Sequence, residues 1–292
     1  MYTTLISASE LQALHTSGAR SMVFDCSFDL SQPGAGPAMY AQSHIPGAVY
    51  AHLDTALSAK GERARTGAMS GGRHPLPSRE AFAQWLTAVG FENDMQAVVY
   101  DRQGANYCGR LWWMLKWLGH GAVAVLDGGL GAWVAQGGAT EADLPPTPLR
   151  TSGGVPFAIA EPKVRLVGVD AVLRELGRSG QTIVDARATP RFRGEVEPLD
   201  PIAGHIPGAW NRPFSLNLTA EGFFKPAAVL RAEWDALLGA QSAQSVVHQC
   251  GSGVSAIPNL LAMEIAGLPG SGLFAGSWSE WCSDPTRPVA TG

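Results

Sequence analysis

Short apolar runs alternate with longer amphipathic ones along most of the chain. Ser21-Met22-Val23-Phe24-Asp25-Cys26 and Ala97-Val98-Val99-Tyr100-Asp101 read as buried strands closed by an acid. Ala122-Val123-Ala124-Val125-Leu126 reads the same way and runs into an Asp127-Gly128-Gly129 turn. Thr182-Ile183-Val184-Asp185 and Ser245-Val246-Val247-His248 repeat the pattern later. Such runs lack polar alternation, so both faces of the strand are expected to be covered, as in a mostly parallel sheet between helices. Helices are predicted from Ser9 to Leu14, Ser78 to Val89, Leu111 to Trp117 and Ala256 to Ile265. Pro258 is compatible with the last of these because it falls in the first turn, where the backbone N–H has no helical partner.

The second half of the pattern repeats the first. Thr182-Ile183-Val184-Asp185 answers Val23-Phe24-Asp25, and His205-Ile206-Pro207-Gly208-Ala209 answers His44-Ile45-Pro46-Gly47-Ala48. Gly276-Ser277-Trp278-Ser279-Glu280-Trp281 answers Gly128-Gly129-Leu130-Gly131-Ala132-Trp133. The period is too long for a solenoid, so the chain reads as two copies of one α/β domain. A Pro-rich stretch around Pro145, Pro146 and Pro148 separates them. The expected division is residues 1–145, a connector over 146–160, and 161–292.

Composition narrows the class. A chain of 292 residues with 46% hydrophobic and 16% charged residues can bury two substantial cores. A net charge of −4 gives no global attraction to nucleic acid or to an anionic membrane. No apolar run reaches spanning length, and Met1-Tyr2-Thr3-Thr4-Leu5-Ile6 lacks the basic start and apolar core of a signal peptide. Cys26, Cys108, Cys250 and Cys282 are too widely spaced for a disulfide scaffold. A reducing, cytoplasmic setting is expected. No Gly-x-Gly-x-x-Gly turn opens a first helix, so no organic cofactor is expected.

The chemistry concentrates at Gln249-Cys250-Gly251-Ser252-Gly253-Val254-Ser255, between a predicted strand and a predicted helix. A thiolate is the nucleophilic form of cysteine, and a free thiol is mostly protonated near neutrality. Glycines at 251 and 253 let the chain curl so that several N–H groups meet one point. The helix N-terminus adds to the same field. The matching position in the first copy is Asp101, which cannot act as a sulfur nucleophile, so that copy is expected to be catalytically silent. A cysteine phosphatase would need an arginine six residues after the cysteine, where Ala256 stands. His248 and Cys250 have no second ligand pair nearby, so no structural metal site is expected.

The two His-Ile-Pro-Gly-Ala motifs, the Arg110-Leu111-Trp112-Trp113-Met114 helix, the Cys250 loop and Gly276–Trp281 together resemble the two-domain sulfurtransferases of the rhodanese superfamily. The resemblance covers nearly the whole chain and implies two tandem rhodanese-like domains. The loop Cys-Gly-Ser-Gly-Val-Ser is similar to the Cys-Gly-Ser-Gly-Val-Thr loop of the 3-mercaptopyruvate branch. Loops with charged residues after the cysteine mark the thiosulfate enzymes. The implied reaction is ping-pong. Cys250 takes sulfur from a small-molecule donor, and a thiol, cyanide or thioredoxin-like acceptor removes it. The resemblance also implies a relay of Ser252, His74 and Asp54, a loop cradle of Gly251, Gly253, Val254 and Ser255, and Arg191 on the donor carboxylate. A second family arginine falls at Leu199 here, and the expectation is that Arg193 or Arg187 compensates or that the donor is held less tightly. A thiosulfate sulfurtransferase, and a non-enzymatic persulfide carrier or redox-sensing scaffold, stay open as alternatives.

Overall fold

A computed structural model describes residues 1–61, 67–142 and 155–292. The first copy contains β1 (Leu5–Ile6), α1 (Ala8–Thr16), β2 (Ser21–Asp25), α2 (Ala35–Gln42) and β3 (Val49–Tyr50). It continues with α3 (Arg79–Val89), β4 (Gln96–Tyr100), α4 (Cys108–Trp117), β5 (Val123–Leu126) and α5 (Gly129–Ala135). The second copy contains β6 (Arg165–Leu166), α6 (Val169–Arg174), β7 (Thr182–Asp185), α7 (Thr189–Phe192) and β8 (Trp210–Asn211). It ends with α8 (Ala227–Leu238), β9 (Val246–Gln249), α9 (Ile257–Ile265), β10 (Gly272–Leu273) and α10 (Ser277–Trp281).

Each copy builds one five-stranded sheet, in the orders β1-β5-β4-β2-β3 and β6-β10-β9-β7-β8. The two orders are the same once β6 to β10 are read as β1 to β5, and every named strand pair is parallel. Both faces are covered because strand side chains alternate. In β2, Val23 joins Leu11 of α1 and Leu130 and Trp133 of α5 in one cluster. Its neighbour Phe24 packs the other way, against Trp85 of α3 and Phe91, with ring centroids 6.0 and 5.7 Å apart. In the second sheet Val247 packs with Val172, Trp278 and Trp281. His248 faces Trp234 of α8 and Met263 of α9 instead.

The repeated His-Ile-Pro-Gly-Ala motif has a structural reason. His44 stacks on Tyr40 at 3.9 Å, and its Nδ1 lies 2.8 Å from the Tyr40 carbonyl. His205 stacks on Phe192 at 3.8 Å, with Nδ1 2.8 Å from the Phe192 carbonyl. Each histidine also forms a backbone bridge to a later segment, at Glu141 and Ala290. The motif closes each copy on its own C-terminal stretch.

Contacts divide the chain into two compact units that are not continuous in sequence. The first comprises residues 1–58, 77–163 and 220–223, and the second 59–76, 164–219 and 224–292. Residues 59–76, which the sequence assigns to the first domain, therefore pack with the second. Of the connector expected over 146–160, residues 146–154 lie outside the described residues. Residues 155–163 belong to the first unit. The Phe157 ring stacks on Phe91 at 5.8 Å and its N–H donates to Thr87 Oγ1. An aromatic side chain in the stretch made it part of a core.

Candidate active site

Cys250 directly follows β9, which lies between β7 and β10 in the second sheet. It is 2% exposed. Its N–H donates to Ser277 Oγ at 3.1 Å, and its carbonyl accepts from the Trp278 N–H at 3.0 Å. The Gly251 carbonyl accepts from Ser279 N–H at 2.9 Å. Ser277 itself donates to the Phe274 carbonyl and holds a left-handed φ of 54°. That strained residue fixes the root of the loop on the start of α10. Gly253 has a φ of 73°, and a Cβ there would lie 2.0 Å from the Ala275 carbonyl oxygen, so only glycine fits. Ile257 N–H donates to the Val254 carbonyl as α9 begins, with Pro258 in its first turn.

The first copy shows what such a loop does. Asp101 follows β4, and its carboxylate accepts four backbone N–H groups. Gln103 and Ala105 donate to Oδ1 at 2.9 and 3.1 Å. Tyr107 and Cys108 donate to Oδ2 at 2.8 and 2.9 Å. The loop after the central strand is thus wrapped around an anion, here its own side chain. The fourth equivalent step after Cys250 is Ile257, whose N–H is taken by the Val254 carbonyl, and at the other three stand Ser252, Val254 and Ala256. Among the described residues, no protein acceptor takes their N–H groups.

The other predicted residues divide clearly. His74 and Ser252 meet: Nδ1 lies 2.7 Å from Oγ, with both residues buried. Arg191 lies beside the loop. Its Nε and Nη2 donate to Glu197, and Nη2 also reaches Asp200 at 3.3 Å. Arg187, expected as a candidate to replace the second arginine, is buried in other contacts. It is 4% exposed and committed to Asp185, to Glu197, to the Gly204 carbonyl and to the face of Trp278. Arg193 is turned to solvent, 3.7 Å from Glu195. Asp54 belongs to the first unit, where its N–H donates to His52 Nδ1. Leu199 is exposed, and its N–H closes a turn onto Glu197.

Sequence reasoning missed Arg73. It lies in the 59–76 segment of the second unit. Its N–H donates to Ser279 Oγ at 3.0 Å, and its Nη1 pairs with Asp200. The available signal was its position next to His74. The other three cysteines are poor candidates for ionisation. Burial, reinforced by Asp25 and Asp101, pushes the Cys26 thiol well up. Burial and Asp101 do the same to Cys108, and burial raises Cys282. All four cysteines are free. Among the described residues no cluster of side chains could hold a metal ion, and no helix is long and apolar enough to cross a membrane.

Comparison with known proteins follows the same two-copy division. The rhodanese-like domain model matches residues 7–136 and 169–284. A protein of Pseudomonas aeruginosa named "Probable 3-mercaptopyruvate sulfurtransferase" is 44% identical over 292 residues, covering 99% of this chain and 98% of that one. The thiosulfate sulfurtransferase of Cricetulus griseus is 32% identical over 96% of this chain and 92% of its own. The solved 3-mercaptopyruvate sulfurtransferase from Leishmania major superposes with a TM-score of 0.79 at 31% identity, over 98% of this chain and 75% of that one.

Proposed function

This chain belongs to the rhodanese-like family of two-domain sulfurtransferases, and on that premise we propose that it carries sulfur from 3-mercaptopyruvate to an acceptor as a Cys250 persulfide. The Cys250 thiolate attacks the donor sulfur. The donor's carbon–sulfur bond breaks, and its electron pair leaves on carbon as the pyruvate enolate. Protonation of that carbon gives pyruvate, and Cys250 keeps the sulfur as S–SH. Cyanide then takes the outer sulfur as thiocyanate, or a thiol takes it as a new persulfide, and the Cys250 thiolate returns. A small thiol or a thioredoxin-like protein fits the second role. The working setting is the reducing cytoplasm, which keeps the four cysteines as thiols.

The observation that supports this reading most is the pair of loops. Four N–H groups hold a carboxylate in the first copy, and N–H groups at equivalent steps follow the thiol in the second. A persulfide anion is the species such a loop suits. Ser252 and His74 supply the proton that the enolate needs, with Ser252 as the near donor and His74 behind it. Asp54 is assigned the third place in this relay. Arg191 binds the donor carboxylate. Gly251, Gly253, Val254 and Ser255 shape the cradle. The copy over residues 1–145 is the silent one, and the copy over 161–292 is the catalytic one.

A second donor, thiosulfate, is favoured by Leu199, which stands where the mercaptopyruvate branch has an arginine. Steady-state sulfur transfer with the two donors side by side decides between them. We expect higher kcat/KM with 3-mercaptopyruvate, and loss of transfer from both donors in Cys250→Ser by about 10³-fold or more. A preference for thiosulfate would reverse the donor assignment. Transfer that survives Cys250→Ser would remove the persulfide.

A further inference from the structure

The segment that delivers His74 is fastened to α10. Residues 59–76 pack with the second unit, and their last part closes on itself. Met69 N–H donates to the Leu76 carbonyl at 2.8 Å, and Leu76 N–H donates to Ser70 Oγ at 3.0 Å. The tip, Gly71-Gly72-Arg73, precedes His74 and meets α10 at three successive residues. The Glu280 carboxylate accepts the Gly71 N–H. Gly72, at a φ of 83°, comes so close that a Cβ would lie 2.6 Å from the Gly276 carbonyl oxygen. Ser279 Oγ accepts the Arg73 N–H at 3.0 Å and gives its own hydrogen to the Gly276 carbonyl at 3.2 Å. Glycine at 71 and 276 makes room for the Glu280 carboxylate. A Cβ on Gly71 would lie 2.8 Å from Glu280 Oε1, and one on Gly276 would overlap the other oxygen.

The first copy lacks both acceptors. Its α5 is the counterpart of α10, and Gly129 and Ser277 share a left-handed φ, 57° and 54°. The places of Ser279 and Glu280 are taken by Gly131 and Ala132, whose side chains cannot accept a hydrogen bond. Among the described residues, nothing lies within 4 Å of where a Gly131 Cβ would stand. Gly131 instead borders a cavity of about 500 Å³, together with Gly128, Leu130 and Arg102. The two docking side chains therefore occur only in the copy that carries the thiol.

We propose that Glu280 and Ser279 are positioning residues for the donor half-reaction, acting through His74. By docking Gly71 and Arg73 on α10 they set the 2.7 Å contact between His74 Nδ1 and Ser252 Oγ. Proton transfer along that contact depends on reach and alignment, both of which fail steeply when the histidine shifts. The proposal rests on the Ser252–His74 relay described above.

The two half-reactions, measured in single turnovers at saturating 3-mercaptopyruvate, test it. Glu280→Ala should slow pyruvate release about tenfold, with discharge of preformed persulfide to cyanide within about twofold of wild type. Glu280→Gln keeps an acceptor oxygen for the Gly71 N–H and should recover most of the rate. Ser279→Ala is the milder variant should Glu280→Ala not fold, and it should slow pyruvate release about threefold in the same pattern. Amide hydrogen exchange over residues 67–76 should quicken about tenfold in Glu280→Ala and stay at the wild-type level in Glu280→Gln. In a His74→Ala background, Glu280→Ala should cost less than about twofold more. Wild-type pyruvate release in both alanine variants, equal slowing of both half-reactions, no recovery with glutamine, or unchanged exchange would each overturn the proposal. A fully additive loss with His74→Ala would do the same, because it marks a route other than the histidine. Wild-type pyruvate release in His74→Ala alone would instead overturn the relay reading, and this assignment with it.

Discussion

The loops after β4 and β9 occupy the same place in two sheets of the same strand order, yet only one carries a thiol. The first is self-contained. Asp101 satisfies the N–H groups of Gln103, Ala105, Tyr107 and Cys108. The adjacent Arg102 is committed to Asp25, to Ser27 and to the carbonyls of Met39 and Ser43. The second loop has a smaller side chain at the centre, a Ser252–His74 pair at its edge, and guanidinium nitrogens facing Gly251. The cradle belongs to the fold, and what fills it sets what the loop can do. A permanent carboxylate makes the loop a structural knot. With a thiol in that place, the N–H groups of Ser252, Val254 and Ala256 have no protein acceptor among the described residues.

The comparison breaks most readily at His74. His74→Ala removes the partner of Ser252 and should lower kcat with 3-mercaptopyruvate by about 10²-fold. Persulfide already formed on Cys250 should still pass to cyanide at nearly the wild-type rate, because that half-reaction has no enolate to protonate. Stopped-flow measurement of the two half-reactions separates these. Equal slowing of both would show that His74 supports the loop and not the proton.

Asp101→Asn probes the other side. The amide cannot accept from both N–H pairs, so buried donors lose a charged acceptor at a cost of about 2 kcal/mol. Denaturant unfolding should show that loss, with kcat within about twofold of wild type. A large fall in kcat with little loss of stability would end the description of the first loop as a silent structural knot.

A smaller effect is expected two residues before the thiol, at His248. His248 occupies in β9 the place that Val99 holds in β4. Burial, helped by Arg165 and Arg212, depresses its pKa to about 3. The unfolded chain therefore binds a proton below about pH 6.5 that the folded chain refuses until about pH 3. Stability is full above the upper value and falls as the pH drops through this window, by at most ~1.4 kcal/mol per pH unit. His248→Val, which copies the first sheet, should flatten that acid limb in urea titrations. An unchanged limb would show that other groups carry it.

Much of the fold could be read from local pattern. Buried strands, their repeat and the Pro258-tolerant helix each depend on a few neighbouring residues, and each appeared where expected. Cys250 was legible for the same reason, since a strand, a glycine turn and a helix are contiguous. The arginines were not. Arg187 looks like a free cation in sequence, yet Asp185, two residues earlier, captures it in a buried pair. Arg73 comes to Gly251 only because residues 59–76 pack with the second unit, a long-range outcome with no local signature. The carboxylate of Asp101 could be named as a non-nucleophile. Its four N–H partners become visible only once the loop is folded around it.

Cys250 is proposed to carry the transferred sulfur as a persulfide. Mass spectrometry of the whole protein, after exposure to 3-mercaptopyruvate without an acceptor, tests it directly. One equivalent of pyruvate should be released and the mass of one sulfur atom added to the peptide bearing Cys250, lost again on addition of cyanide. Turnover in the same preparation with no sulfur on Cys250, or with the added sulfur on Cys108 or Cys26, would contradict it.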